Sequence, residues 1–264
     1  MSLEADAQGQ FKPCCKYALP LTDENGRVFK VGVDKIQTVF DSMEPLRHEF
    51  RAGRKPSGCK ACWEEESIPG RMSKRLNSQI LMNEEMQQLD WNSPNQVIRF
   101  LDLKLGNVCN LKCRICSVSS SSKWGKEQAD LYGKTPELAA QLEAGQWPRT
   151  QQAWWKDLET VLEDITYFEF TGGEPFLIQE QFDVLQKAVD LGIAGNISIH
   201  YNTNGTILPV QYKVWKHFKR VNIAVSIDDI HERFEYQRKG ANWKQVKENI
   251  REMNYMLPNE GIDV

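Results

Sequence analysis

The feature that most restricts this chain is a loop of three cysteines, Cys109, Cys113 and Cys116, in the run GNVCNLKCRIC, with three residues between the first two and two between the last two. Soft thiolates at such spacing suit an iron–sulfur cluster or zinc, and three ligands leave one position of a four-coordinate unit open. An open position is what chemistry at a metal requires. A zinc site completed by one of the four histidines, His48, His200, His217 or His231, is the alternative. His200 falls in a strand-like run and His217 in a helical one, where packing or surface roles suit them better than ligation.

The other four of the seven cysteines come in two pairs, Cys14 with Cys15 and Cys59 with Cys62. In a reducing compartment these are metal ligands or reactive groups rather than staples. The N-terminus, MSLEADAQGQ, lacks the apolar run of a signal peptide, and no stretch approaches the roughly 20 apolar residues of a membrane-spanning helix, so a cytoplasmic protein is expected. A net charge of -3 leaves no electrostatic footprint for nucleic acid or for an anionic membrane.

From about residue 95 the chain alternates strands and helices. VIRFLDLKL (Val97 to Leu105), ITYFEF (Ile165 to Phe170), ISIHY (Ile197 to Tyr201) and VNIAVSI (Val221 to Ile227) read as strands of a buried parallel sheet. Helical periodicity marks Trp154 to Glu163, Gln181 to Leu191, Pro209 to Lys219 and Asn242 to Leu257, with an inserted helix from Thr135 to Trp147 and a loop at SVSSSSKW. Before residue 70 lie a hairpin around NGRVFKVGV, short helices at Lys35 to Asp41 and Glu44 to Ala52, and the loop RKPSGCKACWEEE. Residues 1–70 therefore read as a small cysteine-rich α+β module, 71–94 as a helical linker and 95–264 as an α/β domain.

The cysteine loop follows the first strand of that domain, and other motifs arrive in a fixed order after it. TGGEP (Thr171 to Pro175) follows the second strand, YNTNGT (Tyr201 to Thr206) the third and SIDD (Ser226 to Asp229) the fourth, with YQRKGANW (Tyr236 to Trp243) beyond. Two glycines permit a sharp turn and a close backbone approach at the edge where parallel sheets bind ligands. In this order the motifs resemble the radical S-adenosylmethionine (SAM) superfamily.

The resemblance implies a partial (β/α)6 barrel of about four βα units. It implies a [4Fe-4S] cluster on Cys109, Cys113 and Cys116, and SAM contacted by Gly172, Gly173, Glu174, Asn204, Ser226 and Asp228. Arg238 is expected to pair with the SAM carboxylate. The cluster would reductively cleave SAM to a 5'-deoxyadenosyl radical that abstracts hydrogen from a substrate. A barrel of this family has six units, so the domain is expected to be truncated after GIDV, the start of a fifth strand.

The first 70 residues resemble the auxiliary-cluster half of twitch radical SAM proteins, kin of the SPASM group, through PCC, LRHEFRAG, GCKACWEEE and GRMSKRLN. That implies an auxiliary iron–sulfur cluster with Cys14, Cys15, Cys59 and Cys62 as candidate ligands, a zinc site being the alternative. The expected partners are SAM, an electron donor such as flavodoxin or ferredoxin, and a peptide or protein substrate. The competing functional class is a non-catalytic iron–sulfur or zinc protein for electron transfer or binding.

Overall fold

The computed structural model describes residues 2–82, 87, 90, 92–93 and 95–262. In chain order its strands are β1 (Ser2–Ala5), β2 (Phe11–Lys12), β3 (Phe100–Lys104), β4 (Lys112–Cys113), β5 (Tyr167–Thr171), β6 (Ser198–Thr203), β7 (Arg220–Val225) and β8 (Arg238–Lys239). One sheet has the order β2-β1-β3-β5-β6-β7. From β1 to β7 its neighbours are parallel, and β2 runs antiparallel to β1. Strands β4 and β8 pair separately.

This mixed α/β sheet fits the expected partial barrel, and β3, β5, β6 and β7 are the four strands legible in the sequence. The short strand β1 is an addition. It lies within the stretch expected to be a separate module, yet it pairs with β3 from Ser2 against Phe100 to Ala5 against Leu103. The sequence SLEA is only four residues long and carries glutamate and alanine, both depleted in strands, so it gives little strand signal.

The two faces of the sheet differ in chemistry. On one, Leu3, Leu101, Phe168, Ile199 and Val221 align in register, followed by Ala5, Leu103, Phe170 and Tyr201, all fully buried. They pack with Trp154 and Leu158 of the helix Gln152–Glu159, Phe182 and Leu185 of Gln179–Asp190, and Met253 and Leu257 of Trp243–Asn259. Each such side chain contributes about 1.5–3 kcal/mol of transfer free energy, so this face holds the domain together.

The other face carries the row Glu4, Asp102, Glu169, His200 and Asn222, one residue from each of five adjacent strands. Glu4 and Asp102 are almost completely buried. Such carboxylates require partners. Lys104 lies 2.8 Å from Glu4, and Lys74, from the helix Lys74–Leu81, lies 2.6 Å from Glu169. That helix, capped by Ser73 and ending at Met82 against the stacked rings of Phe100 and Tyr167, covers this face.

The remaining helices follow local signals. Thr135 caps Pro136–Ala144 by accepting from Leu138 N at 3.2 Å, and Ile36–Asp41, Glu44–Arg51 and Trp243–Asn259 lie where periodicity places them. The helix expected over Pro209 to Lys219 is instead a 3-10 turn, Tyr212–His217. Its valine and aromatic residues favour helix weakly, and the connection from β6 to β7 holds six residues in the tighter 3-10 winding. The hairpin around NGRVFKVGV reduces to two isolated bridges, Gln10 with Lys30 and Thr22 with Val28. Helix Trp124–Tyr132, within the long β3-to-β5 connection, was not foreseen. Residues 83–86, 88–89, 91 and 94 of the expected linker and the last two residues of GIDV lie outside the described residues.

Asp102 is pushed up to about 8, first by burial and then by the charges of Glu169 and Glu4. A carboxyl whose folded pKa exceeds its unfolded value, about 4, binds its proton more tightly in the folded chain. Its contribution is therefore fully present below about pH 4 and is lost as pH rises toward about 8. Urea-unfolding midpoints of the unaltered chain should fall with pH across that window more steeply than those of Asp102→Asn; equal slopes would contradict this account.

Candidate functional site

Beyond the C-terminal ends of β3, β5, β6 and β7, the chain makes a set of interlocked turns. The turn after β5 is stitched to the cysteine loop by backbone bonds: Leu105 N donates to Thr171 O at 2.8 Å, Gly173 N to Gly106 O at 3.0 Å and Glu174 N to Val108 O at 2.9 Å. Only glycine fits here. Gly172 has φ +116°, and a Cβ on Gly173 would stand 2.3 Å from the Val108 carbonyl oxygen.

Glu174 is completely buried, and both its carboxylate oxygens are engaged. Oε1 accepts from Phe176 N at 3.1 Å and Thr203 Oγ1 at 2.8 Å, and Oε2 accepts from Asn204 N at 2.8 Å. Burial pushes its carboxyl up, and these three donors oppose the shift. The Glu174 side chain therefore ties the β5 edge to the β6 edge.

Asn204 extends that tie to the cysteines. Its Nδ2 donates to Asn110 Oδ1 at 2.8 Å and lies 3.9 Å from Cys109 Sγ, while Asn110 Nδ2 donates to Thr206 Oγ1 at 2.7 Å. Leu111 N also donates to Cys109 Sγ, at 3.4 Å. Ser226 joins the same edge through its backbone, donating to Thr203 O at 2.9 Å.

On the far side of the loop, β4 pairs with β8, setting Cys113 opposite Arg238. Arg238 is buried, lies 3.9 Å from Cys113 Sγ and forms an ion pair with Asp228 at 2.9 Å. Its guanidinium is thus directed at a thiol and a carboxylate of this chain. Cys113 and Cys116 share a hydrogen bond that raises Cys113 and lowers Cys116 to about 6, and Arg238 favours the thiolate at both. Burial raises Cys109, with the Leu111 N–H opposing.

The serine run after the loop has a part in the site that its composition does not announce. Ser121, buried, donates to Leu111 O at 2.6 Å; Asn107, also buried, donates to Val118 O at 3.1 Å; and Trp124 Nε1 donates to Cys113 O at 3.1 Å. These three residues were missed in the sequence because serine runs and single asparagines ordinarily mark loops.

Residues 103–259, more than half of the chain, match the family model of the Radical SAM superfamily. The chain belongs to the radical SAM superfamily. A comparison with curated proteins finds no match. The matched range runs from β3 through the cysteine loop and the TGGEP turn to the helix Trp243–Asn259. Membership makes the protein an enzyme, with a [4Fe-4S] cluster and SAM as the family's cofactors.

The donor chemistry of this radical SAM domain suits those groups: three thiols share one loop, a buried guanidinium offsets their charge, and a tight glycine turn is bonded to the same loop. Among the described residues, no three His, Cys, Asp or Glu side chains close around a single metal ion. Three histidines find other neighbours. His48 Nδ1 lies 3.3 Å from Arg54 Nη2, His200 stands in register with Glu169, and His231 packs beside Trp243.

The N-terminal cysteines gather at the opposite edge of the sheet. Pro13, which follows β2, lies at the start of β1, its carbonyl accepting from Ser2 Oγ at 2.8 Å. Ala18 N donates to Gly58 O at 3.1 Å, and the Tyr17 ring covers Gly58. Cys14, Cys59 and Cys62 line one cavity of about 550 Å³ with Tyr17, Phe50 and Phe100. Burial raises Cys14 and carries Cys59 up to about 11. Cys15 has Asp102, Lys74, Glu4 and Cys14 as its charged or titratable neighbours, and is pushed up to about 12 by burial and then by the Asp102 charge.

Gly173→Ala should destabilise the fold by about 2 kcal/mol or more, because the added methyl meets backbone that cannot move without breaking the stitch. Gly195→Ala, whose methyl would have no neighbour closer than His217 O at 4.0 Å, should be near neutral. Thermal unfolding of the two variants checks this, and equal melting temperatures would contradict it.

Proposed function

We propose that Cys109, Cys113 and Cys116 hold the [4Fe-4S] cluster and that SAM lies against the turns of Gly172–Glu174, Asn204 and Ser226. The observation that carries this reading is the chain of contacts from the TGGEP turn through Glu174 and Asn204 to Cys109, which joins the glycine turn to the thiol loop. When bound, the cluster supplies one electron to SAM, whose cleavage gives methionine and a 5'-deoxyadenosyl radical able to take hydrogen from a substrate.

The chain's own residues position and neutralise. Arg238 favours thiolate at Cys113 and Cys116, and its charge is balanced on the outer side by Asp228. The Asn204 amide and the Leu111 N–H serve the Cys109 sulfur. Glu174 organises the edge from within, and the Gly172–Gly173 backbone admits the methionine moiety of SAM. Arg238, whose Nε pairs with Asp228 and whose Nη1 lies by Cys113, is the candidate partner of the SAM carboxylate.

The N-terminal residues are read as a twitch-like module in which Cys14, Cys59 and Cys62 bind an auxiliary iron–sulfur cluster. Cys15, which has Asp102, Lys74 and Glu4 beside it, is given no part in this proposed set. A peptide or protein substrate follows from the likeness to the twitch and SPASM groups, and a reducing cytoplasmic setting suits seven free thiols. Among the described residues, no helix is long and apolar enough to cross a membrane.

Protein reconstituted anaerobically with iron and sulfide, then given SAM and dithionite, should release 5'-deoxyadenosine, detectable by mass spectrometry. Cys113→Ala should release none, and full activity in that variant would sink the assignment. In a variant with Cys109, Cys113 and Cys116 all changed to alanine, the remaining iron should survive Cys15→Ser and be lost with Cys14→Ser, Cys59→Ser or Cys62→Ser. Zinc in its place would select the other reading of the N-terminal site.

A further inference from the structure

The row Glu4, Asp102, Glu169, His200 and Asn222 holds more negative charge than the groups around it offset. Glu4 pairs with Lys104 at 2.8 Å and Glu169 with Lys74 at 2.6 Å. Lys12, the other cation acting on Glu4, is matched by Asp6 at 4.0 Å. Burial lowers His200, so it adds no positive charge near neutrality. Among the described residues, Asp6, Glu4, Asp102 and Glu169 thus stand against Lys12, Lys74 and Lys104, and Asp102 is left without a cation of its own.

The same layer contains buried oxygens that lack a donor. Asp102 is 3% exposed and Glu4 0%. Among the described residues, Asp102 Oδ1 and Glu4 Oε2 have no hydrogen-bond partner, and neither has Thr171 Oγ1, two residues beyond Glu169 on the same face of β5. A buried acceptor left unpaired is costly, the more so on a carboxylate. Missing charge and missing donor coincide at Asp102.

Asp102 and Glu169 stand two residues before the last residues of their strands, Lys104 and Thr171. Two residues of strand span about 7 Å, and the TGGEP turn follows directly. Helix Lys74–Leu81 covers the row at Glu169. Toward β6 and β7, His200, Asn202 and Asn222 are only half-buried, so the row is approached from that side.

We infer that this charged row recognises the substrate and takes an alkylammonium group, that of a lysine side chain or an aliphatic amine. An ammonium supplies one positive charge and three donors, matching one missing charge and the unpartnered oxygens. No three His, Cys, Asp or Glu side chains among the described residues close around a metal ion, which favours an organic cation. The inference rests on the reading that SAM lies against the turns at the strand ends: with its nitrogen at the row, the substrate directs its carbon chain toward those turns. With no added cation, Asp102 meets the deficit by keeping a proton, its carboxyl being pushed up to about 8. A bound ammonium takes that proton's place.

The full reconstituted protein is titrated with Nα-acetyl-lysine amide and, in parallel, with the uncharged Nα-acetyl-norleucine amide, and thermal unfolding is followed. At millimolar concentration the lysine probe should raise the melting temperature by about 2 °C or more, and the norleucine probe should not. Asp102→Asn, which keeps the shape and removes the charge, should abolish the rise. A tethered cation gives a second measurement: His200→Lys should melt higher than His200→Met, and the difference should vanish once Asp102→Asn is added.

No rise with the lysine probe, an equal rise with both probes, a rise that survives Asp102→Asn, or a His200→Lys variant no more stable than His200→Met overturns the inference. Neither readout requires turnover. If the lysine probe binds through Asp102 while SAM and dithionite yield no 5'-deoxyadenosine, the radical SAM assignment of the loop fails and the cation site stands. If 5'-deoxyadenosine forms and the two probes are indistinguishable, the assignment stands and the cation site fails.

Discussion

The carboxylate of Glu174 is the contact on which the rest of the site depends. It is wholly buried and accepts hydrogen bonds from two separate strand edges, at Phe176 N on one side and at Thr203 and Asn204 on the other. A buried carboxylate with three donors is stable where an unpartnered one would be costly. Because Asn204 then reaches Asn110 and Cys109, the position of the thiol loop is set by the same group that fixes the glycine turn. The glycine turn and the thiol loop are thereby one structure rather than two neighbours.

The sheet separates the two cysteine sets. The loop after β3 lies at the C-terminal edge, whereas Cys14 lies beside the start of β1, so a five-residue strand, on the order of 15 Å, stands between them. The space along one face of that strand is filled by the row of Glu4, Asp102 and Glu169, with Lys74 and Lys104 as partners. This layer also explains how the first residues of the chain are held. Strand β1 contributes Glu4 to the row, Lys74 closes over it from the following helix, and Cys15 lies within reach of the Asp102 charge.

Much of this was legible in the sequence, for identifiable reasons. Strands β3, β5, β6 and β7 are apolar on the helix-covered face and bounded by turn residues, and the motifs at their ends depend on residue types with little freedom of substitution, cysteines at fixed spacing and glycines in a turn. What escaped notice depends on three-dimensional neighbours. Nothing in SLEA announces a strand, because β1 is defined by its pairing with β3. Ser121 and Asn107 read as loop until their bonds to the cysteine loop are seen. That Cys14 rather than Cys15 lines the cavity with Cys59 and Cys62 is invisible in a CC dipeptide, because only the fold brings residues 14, 59 and 62 together. Glu174 is expected at the ligand from its motif alone, and only the fold shows that its side chain also joins the two strand edges.

The central claim, that the thiol loop keeps an open metal position facing the glycine turn, is tested most directly by electron paramagnetic resonance of the reconstituted, dithionite-reduced protein recorded before and after SAM is added. The account predicts that SAM changes the spectrum of the unaltered protein and leaves that of Cys109→Ala unchanged. Identical spectra with and without SAM in the unaltered protein would contradict it.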